Sequence, residues 1–135
     1  MTNFKLSTLA CAAISSALIT SSPAHAHALP SCDDSGVLAK VSHQLFIGEK
    51  NVVQSGDPIT QLTKTRQTKL RENGPRTIAQ RYCRAKGYTE HGRKKTVYYV
   101  IEQHTGFASF SYGVEACISG RDPWKIHGAY CRSVR

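Results

Sequence analysis

Acidic residues are scarce in this chain of 135 residues, which carries 18 Lys and Arg against nine Asp and Glu. The resulting net charge of +9 at neutral pH favours anionic partners over cationic ones. Long apolar runs are also missing. The longest, Leu6 to Ile19, covers 14 residues, whereas a membrane span needs about 20. The length of this run disfavours a retained transmembrane anchor.

The common catalytic templates are absent as well. The chain contains no G-x-S-x-G elbow, no H-E-x-x-H, no glycine-rich phosphate loop ahead of a helix and no EF-hand pattern. No two cysteines are spaced C-x-x-C, the spacing typical of metal and redox sites. We therefore expect no cofactor.

The N-terminus has the order of a secretory signal peptide. Lys5 is its only charge, the apolar run follows, and small residues suited to cleavage come next. The cut falls after Ala24, Ala26 or Ala28, and the sequence leaves these three open. We predict a signal peptide over residues 1–26 and a single small disulfide-stabilised domain over residues 27–135.

Four cysteines remain after the signal, because Cys11 is removed with it. An even number in a small exported domain predicts two disulfides, and four cysteines permit three connectivities. Cys117 and Cys131 flank a turn-rich tail, while Cys32 precedes the first helix. We therefore favour Cys117–Cys131 together with Cys32–Cys83.

The basic residues are unevenly distributed. Without Lys5 the mature chain keeps a net charge of +8, and the stretch from Lys64 to Lys95 contains only two acids, Glu72 and Glu90. A positive field of this kind favours an anionic partner, although a solvated cationic surface has the same composition. The candidate binding residues are Lys64, Arg66, Lys69, Arg71, Arg76, Arg81, Arg84, Lys86, Arg93, Lys94 and Lys95.

An amphipathic helix is predicted near the start of the mature chain. Residues 33–36 supply capping side chains, and Val37, Val41 and Leu45 recur at helical spacing. The helix should run from about Ser35 to Asn51, before the sequence Gly-Asp-Pro at residues 56–58 ends that unit.

Four segments with strand character follow the helix, separated by short turn-like breaks. Short connections join antiparallel neighbours, whereas parallel strands need long crossovers. We therefore predict an α+β fold, with one N-terminal helix packed on a curved four-stranded antiparallel sheet in a cystatin-like or NTF2-like layout. The predicted strands are Ile59 to Leu70, Thr77 to Tyr88, Thr96 to Gln103 and Phe107 to Ile118.

The last of these strands has the clearest alternation. Val114, Ala116 and Ile118 should face the core, while Glu115 and Cys117 should lie on a face that is largely exposed to water.

Five short sequences stand out in the C-terminal half: Thr-Val-Tyr-Tyr-Val-Ile-Glu at 96–102, Gly-Phe-Ala-Ser at 106–109, Val-Glu-Ala-Cys at 114–117, Asp-Pro-Trp at 122–124 and Cys-Arg at 131–132. With them the chain resembles a family of small exported proteins of Gram-negative bacteria that are described as uncharacterised. The resemblance covers about residues 82–135, with a weaker similarity at residues 32–46. It implies a periplasmic or secreted location and carries over no activity and no site residue.

One constellation suggests catalysis. Glu102 and His104 lie two residues apart and therefore on one face at a strand end, and Arg93 should lie across a hairpin from them. A carboxylate and an imidazole with cationic support perform general base and general acid steps on phosphodiesters. The alternative is that His104 is a polar turn residue and Glu102 an ion-pair partner.

Metal binding depends on the signal cut. A chain that begins at His25 would present an amine, backbone amides and His27 in a square-planar set suited to Cu(II) or Ni(II). A chain that begins at His27 would need a further imidazole, such as His43 or His127. We predict no other metal site.

Together these observations predict a small basic exported protein that is a non-enzymatic binding module for an anionic partner. That partner would be an acidic polysaccharide, an anionic lipid or a nucleic acid. The alternatives are a secreted ribonuclease-like phosphodiester hydrolase and an inhibitor of another secreted enzyme that inserts an exposed loop.

Overall fold

The structure is a computed structural model that describes residues 29–72, 78–107 and 111–135. The predicted signal peptide and its cut site, with His25 and His27, lie outside the described residues. The two disulfides are the ones favoured from the sequence, Cys32–Cys83 and Cys117–Cys131.

The predicted helix is present. Helix α1, Ser35–Gly48, begins where the Asp34 side chain accepts a hydrogen bond of 3.0 Å from the backbone N–H of Val37. A π-helical turn, Glu49–Val53, extends it to 19 residues, and Gln54 ends it in the left-handed conformation, with φ of 48°. The helix thus passes the predicted end at Asn51 by two residues.

The predicted antiparallel sheet is also confirmed. Neighbours in the chain are neighbours in the sheet, in the order β1-β2-β3-β4. The strands are β1, Ile59–Arg71; β2, Gln80–Thr89; β3, Lys94–Glu102; and β4, Gly113–Ile118.

Strand β4 is shorter than the predicted strand from Phe107. The chain first turns back on itself, because the Gly106 N–H donates to the Ser111 carbonyl and the Gly113 N–H donates to Thr105 Oγ1. A Cβ atom at position 113 would lie 2.3 Å from that Oγ1, so glycine permits this close approach. Residues 108–110 of the predicted strand lie outside the described residues.

The main core lies between α1 and one face of the sheet, here called the inner face. The helix buries Val37, Val41 and Leu45 against residues of the central strands β2 and β3 and of the edge strand β4. The N-terminal segment is held to this core by the Cys32–Cys83 disulfide and by the Tyr99 hydroxyl, which donates to the Cys32 carbonyl at 2.6 Å. The inner-face residues are Cys83, Ala85, Val97, Tyr99, Ile101, Ala116 and Ile118.

The opposite face, here called the outer face, has a smaller core of its own. The C-terminal 3-10 segment Ala129–Val134 covers it there, with Cys131 and Val134 buried against Val100 and Cys117. The prediction that the Cys117 side of β4 is largely exposed is therefore wrong at this residue. The Cys117–Cys131 disulfide draws the tail over that part of the sheet and excludes water.

Candidate anion-binding face

The uncovered part of the outer face, on β1, β2 and the start of β3, carries a group of cations. Residues paired across antiparallel strands point to the same side, and successive residues alternate. Because Cys83 and Ala85 point inward, Arg84 and Lys86 point outward. The strand register also places four cations of the neighbouring strands on the outer face, because each of them is paired with an outward-pointing residue of β2. We define the basic face as Arg66, Lys69, Arg71, Arg84, Lys86 and Lys94.

Like charges meet directly on this face. Arg66 of β1 is paired with Arg84 of β2, an arrangement that destabilises a sheet unless an anion lies near. Neither β1 nor β2 contains an Asp or Glu anywhere along its length. Within the described residues, no salt bridge engages any cation of the basic face. The described part of the face therefore carries positive charge that no salt bridge neutralises.

Two tyrosines position several of these cations. Lys69 and Arg71 lie 5.9 and 5.5 Å from the ring centre of Tyr82, and Arg84 lies 6.0 Å from that of Tyr98. Tyr82 is itself buried. Because cations lie over these rings, the tyrosines hold charged groups in place rather than offer open faces for stacking of a sugar or a base.

The other predicted binding residues lie elsewhere. Arg81 points inward and donates to the Leu29 carbonyl at 3.2 Å and to Gln67. Lys95 is paired with buried Gly87 and so belongs to the inner side. Lys64 sits in a bulge of β1 with φ of 51°. Arg76 lies outside the described residues.

The three predicted catalytic residues are not brought together. Glu102 ends β3 and accepts a hydrogen bond from Gln80, and His104 follows in the next turn with φ of 58°. Arg93 precedes β3 at its other end, so the length of that strand, roughly 30 Å, separates it from Glu102. Within the described residues, no Lys or Arg forms a salt bridge with Glu102.

Arg93 belongs instead to an ionic cluster centred on Asp57, whose side chain is only 1% exposed. Asp57 Oδ1 accepts from the backbone N–H of His91 at 3.0 Å and lies 2.8 Å from the His91 Nδ1. Its Oδ2 accepts from Arg93 Nε at 2.8 Å and from Arg121 Nη2 at 3.0 Å. Burial raises the pKa of Asp57, but the hydrogen bonds from His91, Thr89 and Arg93 outweigh it and hold the pKa well below its usual range.

Arg121 links this cluster to the end of the helix. Its side chain is buried and lies 3.7 Å from Glu49 Oε2, while Ser55 donates twice to Glu49 Oε1, at 2.6 and 2.7 Å. Burial raises the pKa of Glu49, but the hydrogen bonds from Ser55 and the charge of Arg121 outweigh this effect and hold the pKa below its usual value. The cluster thus ties together the helix end, the β2–β3 hairpin and the segment after β4.

Sequence reasoning missed this cluster. The sequence indicates only that Asp57 is part of a helix-ending turn. Its hydrogen-bond partners follow 34 to 64 residues later, and so large a separation leaves no local pattern. The one available signal was Asp57 itself, an acid next to a proline in a chain with few acids.

The histidines do not form a metal centre in the described parts of the chain, where no group of three or more His, Cys, Asp or Glu side chains could hold a metal ion. His127 Nδ1 lies 4.0 Å from Glu115 and 3.3 Å from the Ser133 hydroxyl.

None of the helices in the described ranges is long and apolar enough to span a membrane.

A second notable surface is the C-terminal loop, which we define as residues 120–130. It exposes three large apolar side chains: Trp124 is 76%, Ile126 69% and Tyr130 71% exposed. The Asp122 carboxylate accepts from the backbone N–H groups of Ile126 and His127, both at 2.9 Å, which fixes the turn.

Two grooves, of about 450 and 330 Å³, adjoin this loop. Both are lined by Val53, Arg121, Asp122 and Pro123. Because Val53, at the end of the helix, lines both grooves together with loop residues, the loop lies against the end of the helix.

No protein-family model, curated protein or solved structure matches this chain.

Proposed function

We propose that this chain is an exported binding module that holds an anionic partner of the cell envelope or its exterior on the basic face. The signal-like N-terminus supports export, and the two disulfides favour an oxidising compartment. Phosphate, sulfate and carboxylate groups fit the arginines of the face, because a guanidinium donates to such oxygens in pairs.

One observation carries the proposal: Arg66 and Arg84 are directly paired on two neighbouring strands that contain no carboxylate. A like-charge pair of this kind destabilises the sheet. An anionic ligand that bridges the two guanidinium groups would remove this cost and gain charge-assisted hydrogen bonds. The cation–π contacts of Arg84, Lys69 and Arg71 hold neighbouring charges ready for the same ligand.

Heparin chromatography, with heparin as a sulfated polyanion, tests this proposal. The exported protein should be retained at low salt and should elute as salt rises, because bound cations release counterions from the polymer. The double variant Arg66→Gln/Arg84→Gln should elute at distinctly lower salt.

The matched control is Lys50→Gln/Lys95→Gln, which removes two charges outside the basic face. We expect it to elute close to the unchanged protein. Equal losses in the two double variants would mean that net charge alone causes retention, and an unchanged protein that is not retained at low salt would refute the proposal.

A further inference from the structure

We infer that the anionic partner is a lipid surface, and that the C-terminal loop enters its headgroup layer beside the basic face. This inference rests on the proposed function and names the partner of the same site. The loop supplies the apolar contact and the basic face supplies the charge.

The apolar side chains of the loop are largely exposed. Trp124, Ile126 and Tyr130 are each more than two thirds exposed, although the chain has few large apolar residues to lose from its core. The loop is fixed in this form by the Cys117–Cys131 disulfide and the hydrogen bonds to Asp122. Grouped exposed apolar side chains mark interaction sites, and Trp and Tyr are the residues that collect at membrane interfaces.

The loop adjoins the basic face through packed residues. It leads into the 3-10 segment, whose Cys131 and Val134 pack with Tyr82 on the outer face. Tyr98 packs against the same cluster and lies under the guanidinium of Arg84. The C-terminal end of the loop, at Tyr130, is therefore attached to the outer face, the side of the sheet that carries the basic face.

Charge around the loop favours anionic headgroups. Lys125, Arg132 and Arg135 are exposed on or after it, whereas the Asp122 carboxylate is turned toward backbone N–H groups of the loop itself. Basic residues next to interfacial aromatic residues are the usual combination for peripheral binding to anionic membranes.

The apolar residues also decide between lipid and polymer. A polysaccharide or a nucleic acid would neutralise the basic face and could stack on the Trp124 ring, but it would leave the aliphatic Ile126 side chain in water. A lipid surface can bind both the basic face and the C-terminal loop, because its headgroups contact the cations while the boundary with the acyl chains accepts the apolar side chains.

Trp124 reports directly on this step, since it is the only tryptophan of the chain. The exported protein is mixed with vesicles made from equal parts of phosphatidylcholine and phosphatidylglycerol, or from phosphatidylcholine alone. We expect a blue shift of the tryptophan emission, and its quenching by acyl-brominated lipid, only with the anionic vesicles. Both effects should weaken as salt rises.

A pair of variants locates the contact. Ile126→Ser should weaken vesicle binding roughly fivefold to tenfold, because it removes one inserted apolar side chain, and should leave retention on heparin unchanged. The matched control is Phe107→Ser, which removes an apolar side chain that is 94% exposed at the opposite end of β4. We expect this variant to bind vesicles as the unchanged protein does.

The outcomes separate this inference from the proposed function. Salt-dependent retention on heparin with no change in Trp124 emission would overturn the lipid assignment and leave the anion-binding proposal standing. An equal blue shift with neutral vesicles would overturn the requirement for anionic lipid. A loss in Phe107→Ser as large as that in Ile126→Ser would overturn the role of the C-terminal loop.

Discussion

Single buried polar groups hold this small domain together at points that lie far apart in the sequence. Asp57 receives donors from residues 91, 93 and 121, and the Tyr99 hydroxyl reaches the backbone of Cys32. Each of these groups would cost stability if it lost its partners, because a buried polar atom without a hydrogen bond forfeits its hydration. Both should therefore be visible in the dependence of stability on pH.

Asp57 should contribute stability at neutral pH that is lost in acid. Its pKa is lower in the folded chain than the value of about 4 expected in the unfolded chain. The contribution is therefore complete above that unfolded value and declines as the pH falls toward the folded one. Asp57→Asn should lower the melting temperature at pH 7, and the difference from the unchanged protein should shrink toward pH 2 in thermal denaturation.

The control for this measurement is Asp33→Asn, an exposed carboxylate that accepts a hydrogen bond from the Ser31 hydroxyl. It should have a much smaller effect at neutral pH. A melting temperature of Asp57→Asn equal to that of the unchanged protein at every pH would show that the cluster does not stabilise the fold.

Tyr99 should affect the stability of the fold at alkaline pH. Burial, with a smaller effect of the Asp33 charge, raises its pKa to about 12. Its contribution is therefore intact below the unfolded pKa of about 10 and is lost as the pH rises from there through 12. Absorbance titration should show one tyrosine that ionises only with alkaline unfolding, and Tyr99→Phe should abolish that late step.

At neutral pH, Tyr99→Phe should also reduce the free energy of unfolding by about 1–2 kcal/mol in urea, because the buried Cys32 carbonyl loses its donor. Tyr130→Phe, at an exposed tyrosine, should change it little. Similar values for both variants would refute the importance of the buried hydrogen bond.

At the scale of elements, the two disulfides fix two different layers. Cys32–Cys83 joins the segment before α1 to the central strand β2, over 51 residues, and Cys117–Cys131 joins β4 to the tail, over 14. The first supports the core under the helix, and the second supports the small core on the outer face.

Removal of the two bridges should therefore differ in size. Cys117→Ser/Cys131→Ser should cost about 3 kcal/mol and Cys32→Ser/Cys83→Ser about 4 kcal/mol, because the longer loop loses more entropy when it is closed in the unfolded chain. Denaturation in guanidinium chloride measures both. The reverse order would show that strain or residual structure, rather than loop length, sets their contributions.

The elements themselves were largely predictable from the sequence. Helical spacing of Val37, Val41 and Leu45 and the β-branched run of β3 are local patterns, and they gave the helix and its sheet. The predicted Cys117–Cys131 disulfide attached the tail to β4, but the tail from residue 119 has no periodicity, so its cover over the outer face could not be predicted. All six residues of the basic face are among the eleven cations predicted from composition, but only the strand register separates Arg84, which points outward, from Arg81, which points inward.

On the scale of the whole molecule, charge is divided between surface and interior. Strands β1 and β2 carry cations and no acids, whereas two of the nine acids of the chain, Glu49 and Asp57, are buried beside Arg121. The surface is therefore self-repelling while the interior is paired. A repelling face raises the energy of the free protein and so favours the anion-bound form.

This division predicts that salt stabilises the free protein. Screening weakens repulsion between exposed cations more than attraction between buried pairs, so the melting temperature should rise between low and physiological ionic strength. In Arg66→Gln/Arg84→Gln the rise should be smaller, since the direct like-charge pair is gone. A melting temperature that falls with salt in the unchanged protein would mean that surface attractions dominate instead.

The pairing of the cysteines also has a consequence for how the chain matures. Each bridge joins two cysteines that are consecutive in the sequence, so that the first pair closes without enclosing either member of the second. If the chain is exported as proposed, with its N-terminus first, it presents Cys32, Cys83, Cys117 and Cys131 to an oxidase in that order. We then expect both native bridges to form without a disulfide isomerase, because an oxidant need only join each newly emerged thiol to its waiting predecessor.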